Sequence, residues 1–421
     1  MPDPTPVPSG APLRVALFTG AYNHIADGVS LTLNRTVRYL LAQGIDVRVF
    51  APTVGAPPVQ HAGTLVPVPS VAIPGRPEYR FSLGFTRGAR RAAEAFAPDL
   101  VHIATPDLLG HGALRWAERR GVPVVASYHT HFASYLDFYG LGRFEGLMWA
   151  RLARFYRRCA HVYVPSASMM DVLRAHGIDG NLRLWTRGVE TDRFNPARRS
   201  DAWRAERGFA PSDVVVAYVG RLVAEKGLDV FAGVVEGLCA RGLGARTLVV
   251  GDGPVRAALE ARLPDAVFTG HLGGTDLAVA HASADVFVFP SETETFGNVT
   301  LEAMASGVPT VCADATGSAS LVADGETGFL CPPRSIPAFT DAVARLVADA
   351  DLRGGMGRAA FARAASYSWP AVLGTLVRYY EEVTGRRLRE DGDARSHDGF
   401  SKHEDAGHTH PATPATAGAS R

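Results

Sequence analysis

The stretch LRVALFTGAYNHIADGVSLTLNRTVRYLL, residues 13–41, decides the fold. A short, nearly unbroken apolar run at 13–18 gives way to a segment bounded by Gly20 and Gly28, and a helical pattern follows from Leu31 to Leu41. The order is strand, loop, helix. It recurs through DVRVFAP (46–52), DLVHIAT (99–105), VPVVASYHTH (122–131) and HVYVPS (161–166), with helix-like stretches at 86–96, 110–119, 144–157 and 168–175. Val-rich strands that alternate with helices imply a parallel sheet covered on both faces. A second series starts at VVVAYVGR (214–221) and continues with RTLVVGDGP (246–254), AVFTGHL (266–272), DVFVFPS (285–291), PTVCAD (309–314) and TGFLC (327–331). The expected fold class is therefore α/β, two Rossmann-like doubly wound domains in tandem with a cleft between their loop edges.

Length supports two cores, since 421 residues exceed what one ordinary domain holds. The turn-rich stretch at 190–213 reads as the connection, which divides the chain into a start expected to be disordered (1–12), a first domain (13–195), a linker (196–212) and a second domain (213–365). Beyond 386 the sequence has almost no apolar residues, and its His397, His403, His408 and His410 read as a solvated tail. With 47% hydrophobic and 20% charged residues the composition excludes a disordered, collagenous or coiled-coil chain. A formal net charge of +1 argues against a nucleic-acid partner, yet it conceals +9 up to Arg207 and −8 beyond it. The two halves are expected to face different partners. Four widely spaced cysteines form no CxxC pair, so neither a zinc site nor a disulfide framework is expected. No leader pattern and no apolar run of roughly 18 residues occur, which places the protein in the cytoplasm as an expectation.

The strongest chemical feature is SETETFGNVTLEAMASGVP (291–309), a strand end that turns through Gly297 and Asn298 into a helix ending at Gly307. Such a junction presents unpaired N–H groups to an anion such as phosphate. Glu294 and Glu302 stand eight apart. On one helix they would be separated by about 12 Å along the axis, beyond the roughly 5 to 9.5 Å of a glycosidase carboxylate pair. Separate tasks follow; an acidic residue favouring the helix dipole plus a surface Glu is the bland alternative. GRLVAEKG (220–227) places Arg221 and Lys226 at a sheet edge, where a cationic pair would stabilise a departing phosphate. Lys226 is one of only two lysines. The turns GDGP (251–254) and Gly270-His271 lie at further strand ends, as do Gly28 and the pair His129 and His131. The first loop reads GAYNHIADG rather than GxGxxG, which removes the support for a nicotinamide cofactor.

Taken together, GRLVAEKG, GDGP, ADVFVFPS, ETFGNVTLEAMASGVP and DGETGFL resemble the ordered motifs of glycosyltransferase family 4, retaining enzymes of the GT-B fold. The resemblance covers roughly residues 13–382, and SYHTHF with FGNVTLEAMASG is most similar to a lipid-directed branch holding sulfoquinovosyltransferases and GDP-mannose-dependent alpha-mannosyltransferases. It implies a GDP- or UDP-linked sugar as donor and no cofactor or metal. It also implies that Glu294 bonds donor-sugar hydroxyls, Glu302 holds the ribose, and Arg221 and Lys226 hold the diphosphate. Phe296, Gly297 and Asn298 would offer backbone groups, His129 would lie near the sugar, Gly28 would close over the diphosphate, and Gly270 with His271 would flank the base. Ser320 stands where the family often has an acidic residue, and that segment receives no role. The segment 366–385 is expected to cross back to the first domain, and the chemistry to be front-face substitution with the leaving diphosphate as base.

The acceptor, a lipid or glycan hydroxyl, is expected on the first domain. There Arg143, Arg151, Arg154, Arg157 and Arg158 are interleaved with Phe144, Leu147, Met148, Trp149, Leu152 and Phe155. This is either a helix lying on an anionic membrane at the inner face of the cell membrane or a core stripe with solvated arginines. A glycan phosphorylase-like enzyme and a non-catalytic nucleotide-sugar-binding protein are the alternatives.

Overall fold

The computed structural model describes residues 11–25, 27–73, 76–128 and 145–387, so the expectations placed on His129, His131, Arg143, Phe144, the first ten residues and the histidine-bearing tail lie outside the described residues. The first series comprises β1 (Arg14–Phe18), α1 (Gly28–Ala42), β2 (Asp46–Ala51), β3 (Thr64–Pro67), β4 (Ser70–Ile73), β5 (Arg76–Ser82), α2 (Arg87–Phe96), β6 (Leu100–Ile103), α3 (Leu108–Arg119), β7 (Val124–Ser127), α4 (Glu145–Tyr156), β8 (His161–Val164), α5 (Ala167–Ala175) and β9 (Leu182–Leu184). Seven strands form one parallel sheet in the order β3-β2-β1-β6-β7-β8-β9. β4 and β5 stand apart as an antiparallel hairpin.

The second series comprises α6 (Asp201–Glu206), β10 (Val214–Val219), α7 (Leu228–Ala240), β11 (Ala245–Val250), α8 (Arg256–Arg262), β12 (Val267–Gly270), α9 (Gly274–Ala282), β13 (Val286–Phe289), α10 (Asn298–Ala305), β14 (Thr310–Ala313), α11 (Ser318–Leu321), β15 (Gly328–Cys331), α12 (Ile336–Ala348), α13 (Ala350–Ala364) and α14 (Trp369–Thr384). Its six parallel strands run β12-β11-β10-β13-β14-β15. In both sheets the chain builds outward one way from the first strand and then returns to build the other way. That reversal leaves a crevice beyond the carboxyl ends of β1 and β6 in one domain and of β10 and β13 in the other.

Burial explains the strand sequences. Val215, Val216, Ala217, Tyr218 and Val219 are all buried in β10, where β-branched side chains pack on both faces of the sheet. Each valine so covered contributes about 1.5 to 3 kcal/mol. All four cysteines are free thiols.

One segment differs from the sequence reading, and a second matches one of its two alternatives, the core stripe with solvated arginines. The stretch expected to be a linker folds onto the second domain: Ser200 caps α6, and Arg204, 1% exposed, bonds the carbonyls of Ser283 and Asp213 and the Asp285 carboxylate. A guanidinium buried among that many acceptors is a structural clamp. The second is α4. Trp149, Leu152, Phe155 and Tyr156 are buried in the first domain's core, so the aromatic residues form the inward stripe, while Leu147, Ala150, Arg151 and Arg154 face outward.

Helix α14 lies on the first domain. Its Val372, Leu373, Leu376 and Tyr380 share one core with Val15, Val47 and Leu33. The two passages between domains are bonded to each other where Val189 N–H donates to Tyr367 O at 2.8 Å.

Candidate active site

The crevice of the second sheet gathers most of the residues singled out by sequence. After β10 the chain turns through Arg221 to a 3-10 turn at Ala224–Lys226, and Gly227 starts α7 in the left-handed conformation, φ 70°. A Cβ on Gly227 would stand 2.8 Å from Pro290 O, so the Lys226 turn is packed directly against the end of β13. Lys226 Nζ donates to Glu294 Oε1, and Ser291 Oγ donates to the same oxygen at 3.4 Å. The pair is half-buried, with 16% and 21% of its side chains exposed. Tyr218 closes the floor, its hydroxyl donating to Arg221 O at 3.2 Å. Burial, and then the Glu294 charge, push that phenol above its usual range. Arg221 itself is exposed, and no hydrogen bond or ion pair to a described residue holds its guanidinium.

The neighbouring turns brace this floor. Leu222 N–H donates to Asp252 O at 2.9 Å, Gly251 N–H donates to Gly270 O at 2.8 Å, and a Cβ on Gly251 would fall 1.9 Å from Gly220 O. Only a glycine admits that approach. His271 sits exposed at the rim beside Gly270.

Helix α10 begins at Gly297 with no side-chain cap, leaving the first amides, including that of Asn298, open beside Glu294. Phe296 is buried in the cluster of Val189, Leu301 and Ala360, and its ring centre lies 6.0 Å from that of Tyr367, which anchors the helix start to the interdomain passages. Glu302 lies on the second turn of α10 with a different neighbour, His281 Nε2 at 3.6 Å. Glu294 and Glu302 thus have separate surroundings.

Gly28 opens α1 beyond β1, where Asp27 Oδ1 accepts from Ser30 N at 2.8 Å, and nothing within 4 Å would obstruct a side chain at Gly28. The two carboxyl edges meet through serines that sequence reasoning left without a role. Ser166 Oγ donates to Thr295 O at 2.8 Å, and Ser168 Oγ shares a 3.0 Å bond with Ser320 Oγ and accepts from Gly317 N at 3.3 Å. The polar strand end HVYVPS, followed by a helical pattern, was the available signal for Ser166. Among the described residues, no three His, Cys, Asp or Glu cluster to hold a metal ion, and no helix is long and apolar enough to cross a membrane.

Comparison with known proteins gives this geometry a family. Residues 26–193 match Glycosyltransferase Family 4, and residues 213–349 match Glycosyl transferases group 1. A GDP-mannose-dependent alpha-mannosyltransferase of Mycobacterium tuberculosis is 37% identical, covering 90% of this chain and 99% of that protein. The chain belongs to glycosyltransferase family 4. A sulfoquinovosyl transferase of Arabidopsis thaliana, 34% identical over 86% of this chain and 72% of its own, meets the branch expected from the motifs. Among solved structures, a sucrose-phosphate synthase from Thermosynechococcus elongatus superposes with a TM-score of 0.73 at 21% identity, covering 89% of this chain and 99% of that one. The Anabaena HepE complex with UDP-glucose gives 0.67 at 17% identity, covering 88% and 100%. The family 4 glycosyltransferase therefore has the GT-B fold, with Arg221, Lys226 and Glu294 at the crevice of its second sheet.

Proposed function

We propose that this enzyme transfers a hexose, mannose first among the choices, from a GDP-sugar to a lipid hydroxyl with retention of anomeric configuration. As a family 4 glycosyltransferase it works from a nucleotide sugar, the names of its relatives favour GDP-mannose, and the lipid acceptor rests on the motif resemblance to the lipid-directed branch. The observation that carries the reading is the Lys226–Glu294 pair beside the open start of α10. Lys226 and Arg221 bring two positive charges to where a diphosphate would lie, and the uncapped amides add the positive end of a helix dipole. Charge developing on the leaving diphosphate is then stabilised without a metal, and turnover is expected to survive chelation.

Glu294 is an acceptor at the same point. It can take hydroxyls of the sugar once Lys226 turns toward phosphate, so one residue orients the ring while the other receives the leaving group. Glu302 would hold the ribose, Gly270 and His271 the base edge, and Gly28 the near side of the diphosphate. The family resemblance implies front-face substitution, in which the departing diphosphate oxygen takes the proton of the incoming hydroxyl on the face it leaves.

A panel of GDP- and UDP-sugars offered with diacylglycerol-based lipids and with soluble glycans tests the reading. Nucleotide release tied to a lipid product, with an α-anomeric proton signal from an α-linked donor, is expected. An inverted product, or turnover on glycans alone, would overturn the corresponding half.

A further inference from the structure

A buried imidazole stands behind Glu302. His281, the last residue but one of α9, is 1% exposed, yet among the described residues no hydrogen-bond partner reaches its Nε2. A phenylalanine would fill that core position at no polar cost, whereas an imidazole with an unmade bond carries the desolvation penalty of its nitrogen. The ionisable neighbour of that nitrogen is Glu302, whose Oε2 lies 3.6 Å away, just beyond hydrogen-bond range. A carboxylate only accepts, so the ring faces it with Nε2 as the N–H.

The imidazole is fixed, whereas the carboxylate has freedom. Phe194 packs edge-on against the His281 ring with centres 5.7 Å apart, and Phe287 of β13 lies at 5.8 Å. The backbone just past α9 is gripped as well. Arg204 Nη1 donates to Ser283 O at 2.7 Å, Ser200 N–H donates to Ser283 Oγ at 3.2 Å, and Arg199 Nη1 donates to Ala284 O at 3.3 Å. Phe194, Arg199, Ser200 and Arg204 all belong to the stretch between the two sheets, so that stretch sets where the histidine stands. Glu302, by contrast, is the one residue from Thr300 to Ala305 that is not buried. Its long side chain turns about several bonds, and a small rotation brings Oε2 into range of a donor that stays still.

We propose that His281 is a positioning residue for Glu302: its Nε2–H closes on the Glu302 carboxylate as the donor binds, and so aims the remaining lone pairs at the ribose hydroxyls. The inference rests on the reading of Glu302 as the ribose contact. A carboxylate held by a fixed N–H meets the hydroxyls already oriented, and less side-chain freedom is lost on binding. The bond also satisfies the buried nitrogen, which offsets its desolvation in the bound state. Because His281 acts through Glu302, its effect falls on nucleotide affinity and reaches the nucleotide only through the ribose.

Calorimetric titration of the full chain with GDP and with 2′,3′-dideoxy-GDP tests it, and the same pair of uridine nucleotides keeps the test independent of the base. The wild type is expected to prefer the ribose form by about thirty-fold, the size of hydrogen bonds to a charged acceptor. His281→Phe keeps the ring packing and lacks the donor. It should weaken GDP by about ten-fold and leave the dideoxy form within about two-fold. His281→Gln carries an amide N–H near the place of Nε2 and should restore most of the preference. A purely structural role would weaken both nucleotides alike; that result, or a preference kept in full by His281→Phe, would overturn the assignment. Glu302→Ala tests the ribose reading by itself. An unchanged preference there overturns both readings, whereas a preference lost there and kept in His281→Phe overturns the inference alone. Wild-type protein carrying nitrogen-15 histidine gives a readout that needs no altered core: GDP should shift the His281 Nε2 signal and dideoxy-GDP leave it, and equal shifts would count against the proposed bond.

Discussion

At the scale of single residues the proposed chemistry turns on Lys226, the one lysine among the described residues. Its ion pair with Glu294 keeps a half-buried ammonium compensated while the donor is absent. On the proposed reading, donor binding divides that pair between phosphate and sugar, and both charges are then needed. Lys226→Ala is expected to lower kcat by about 100-fold or more, the size of losing a main electrostatic contact in the transition state. Single-turnover measurement at saturating donor checks this, and near-normal kcat with only a raised KM would reduce Lys226 to uniform binding. Glu302 differs in kind, since its neighbour is a buried histidine, His281, 1% exposed, rather than a cation of the cleft. The spacing of the two glutamates was legible in the sequence because a strand end, a glycine and a helix leave little freedom between them. Their partners were not: Ser291 is three residues from Glu294, but Lys226 is 68 residues away and comes near only through the β10–β13 pairing.

Among the elements, those with a strong internal period were readable and those defined by their neighbours were not. Strands such as VVVAYV are apolar on both faces and announce a covered parallel sheet. The β4–β5 hairpin leaves Val71, Ile73 and Phe81 exposed, so burial never selected its pattern. In α4 the arginines and aromatics alternate within each turn, and composition alone could not say which side faced the core. Ser320 was set aside because it departs from the family, yet it bonds Ser168 across the domains. The Lys226 turn offers a test at this scale. Gly227→Ala places a side chain in the left-handed region and 2.8 Å from Pro290 O, so the turn must leave the end of β13. We expect a stability loss on the order of 1 to 3 kcal/mol, with donor KM raised and kcat lowered together. Gly28→Ala meets open space and should keep stability within about 0.5 kcal/mol. Denaturant midpoints measured alongside steady-state kinetics separate the two, and an unperturbed Gly227→Ala enzyme would mean that the turn's contact with Pro290 is not needed.

Across the whole molecule, the two domains are tied by a helix whose docking depends on neutral groups. Tyr380 of α14 bonds His102 Nδ1 at 2.6 Å, and His102 Nε2 bonds Ser127 Oγ at 2.6 Å, all buried at the centre of the first sheet. Burial pushes the His102 imidazole from 6.5 down to about 3. The unfolded chain therefore takes up a proton there as pH falls below 6.5, while the folded chain refuses it until about 3. Across that window the unfolded state holds more protons, so stability rises with pH and is lost on acidification. His24, His111 and His161 are shifted in the same direction, each chiefly by burial, and steepen the loss. From His102 alone the loss is on the order of 2 kcal/mol between about pH 7 and about pH 5. Because the imidazole sits between α14 and the sheet, that loss falls on the docking of the helix that closes the two-domain chain on itself. Urea midpoints taken in steps across the window give the proton linkage directly. His102→Gln keeps hydrogen-bonding capacity without a titrating ring, and its stability should vary with pH by about one proton less than the wild type. Equal slopes in the two proteins would place the acid sensitivity elsewhere and remove His102 from the account of how the domains stay joined.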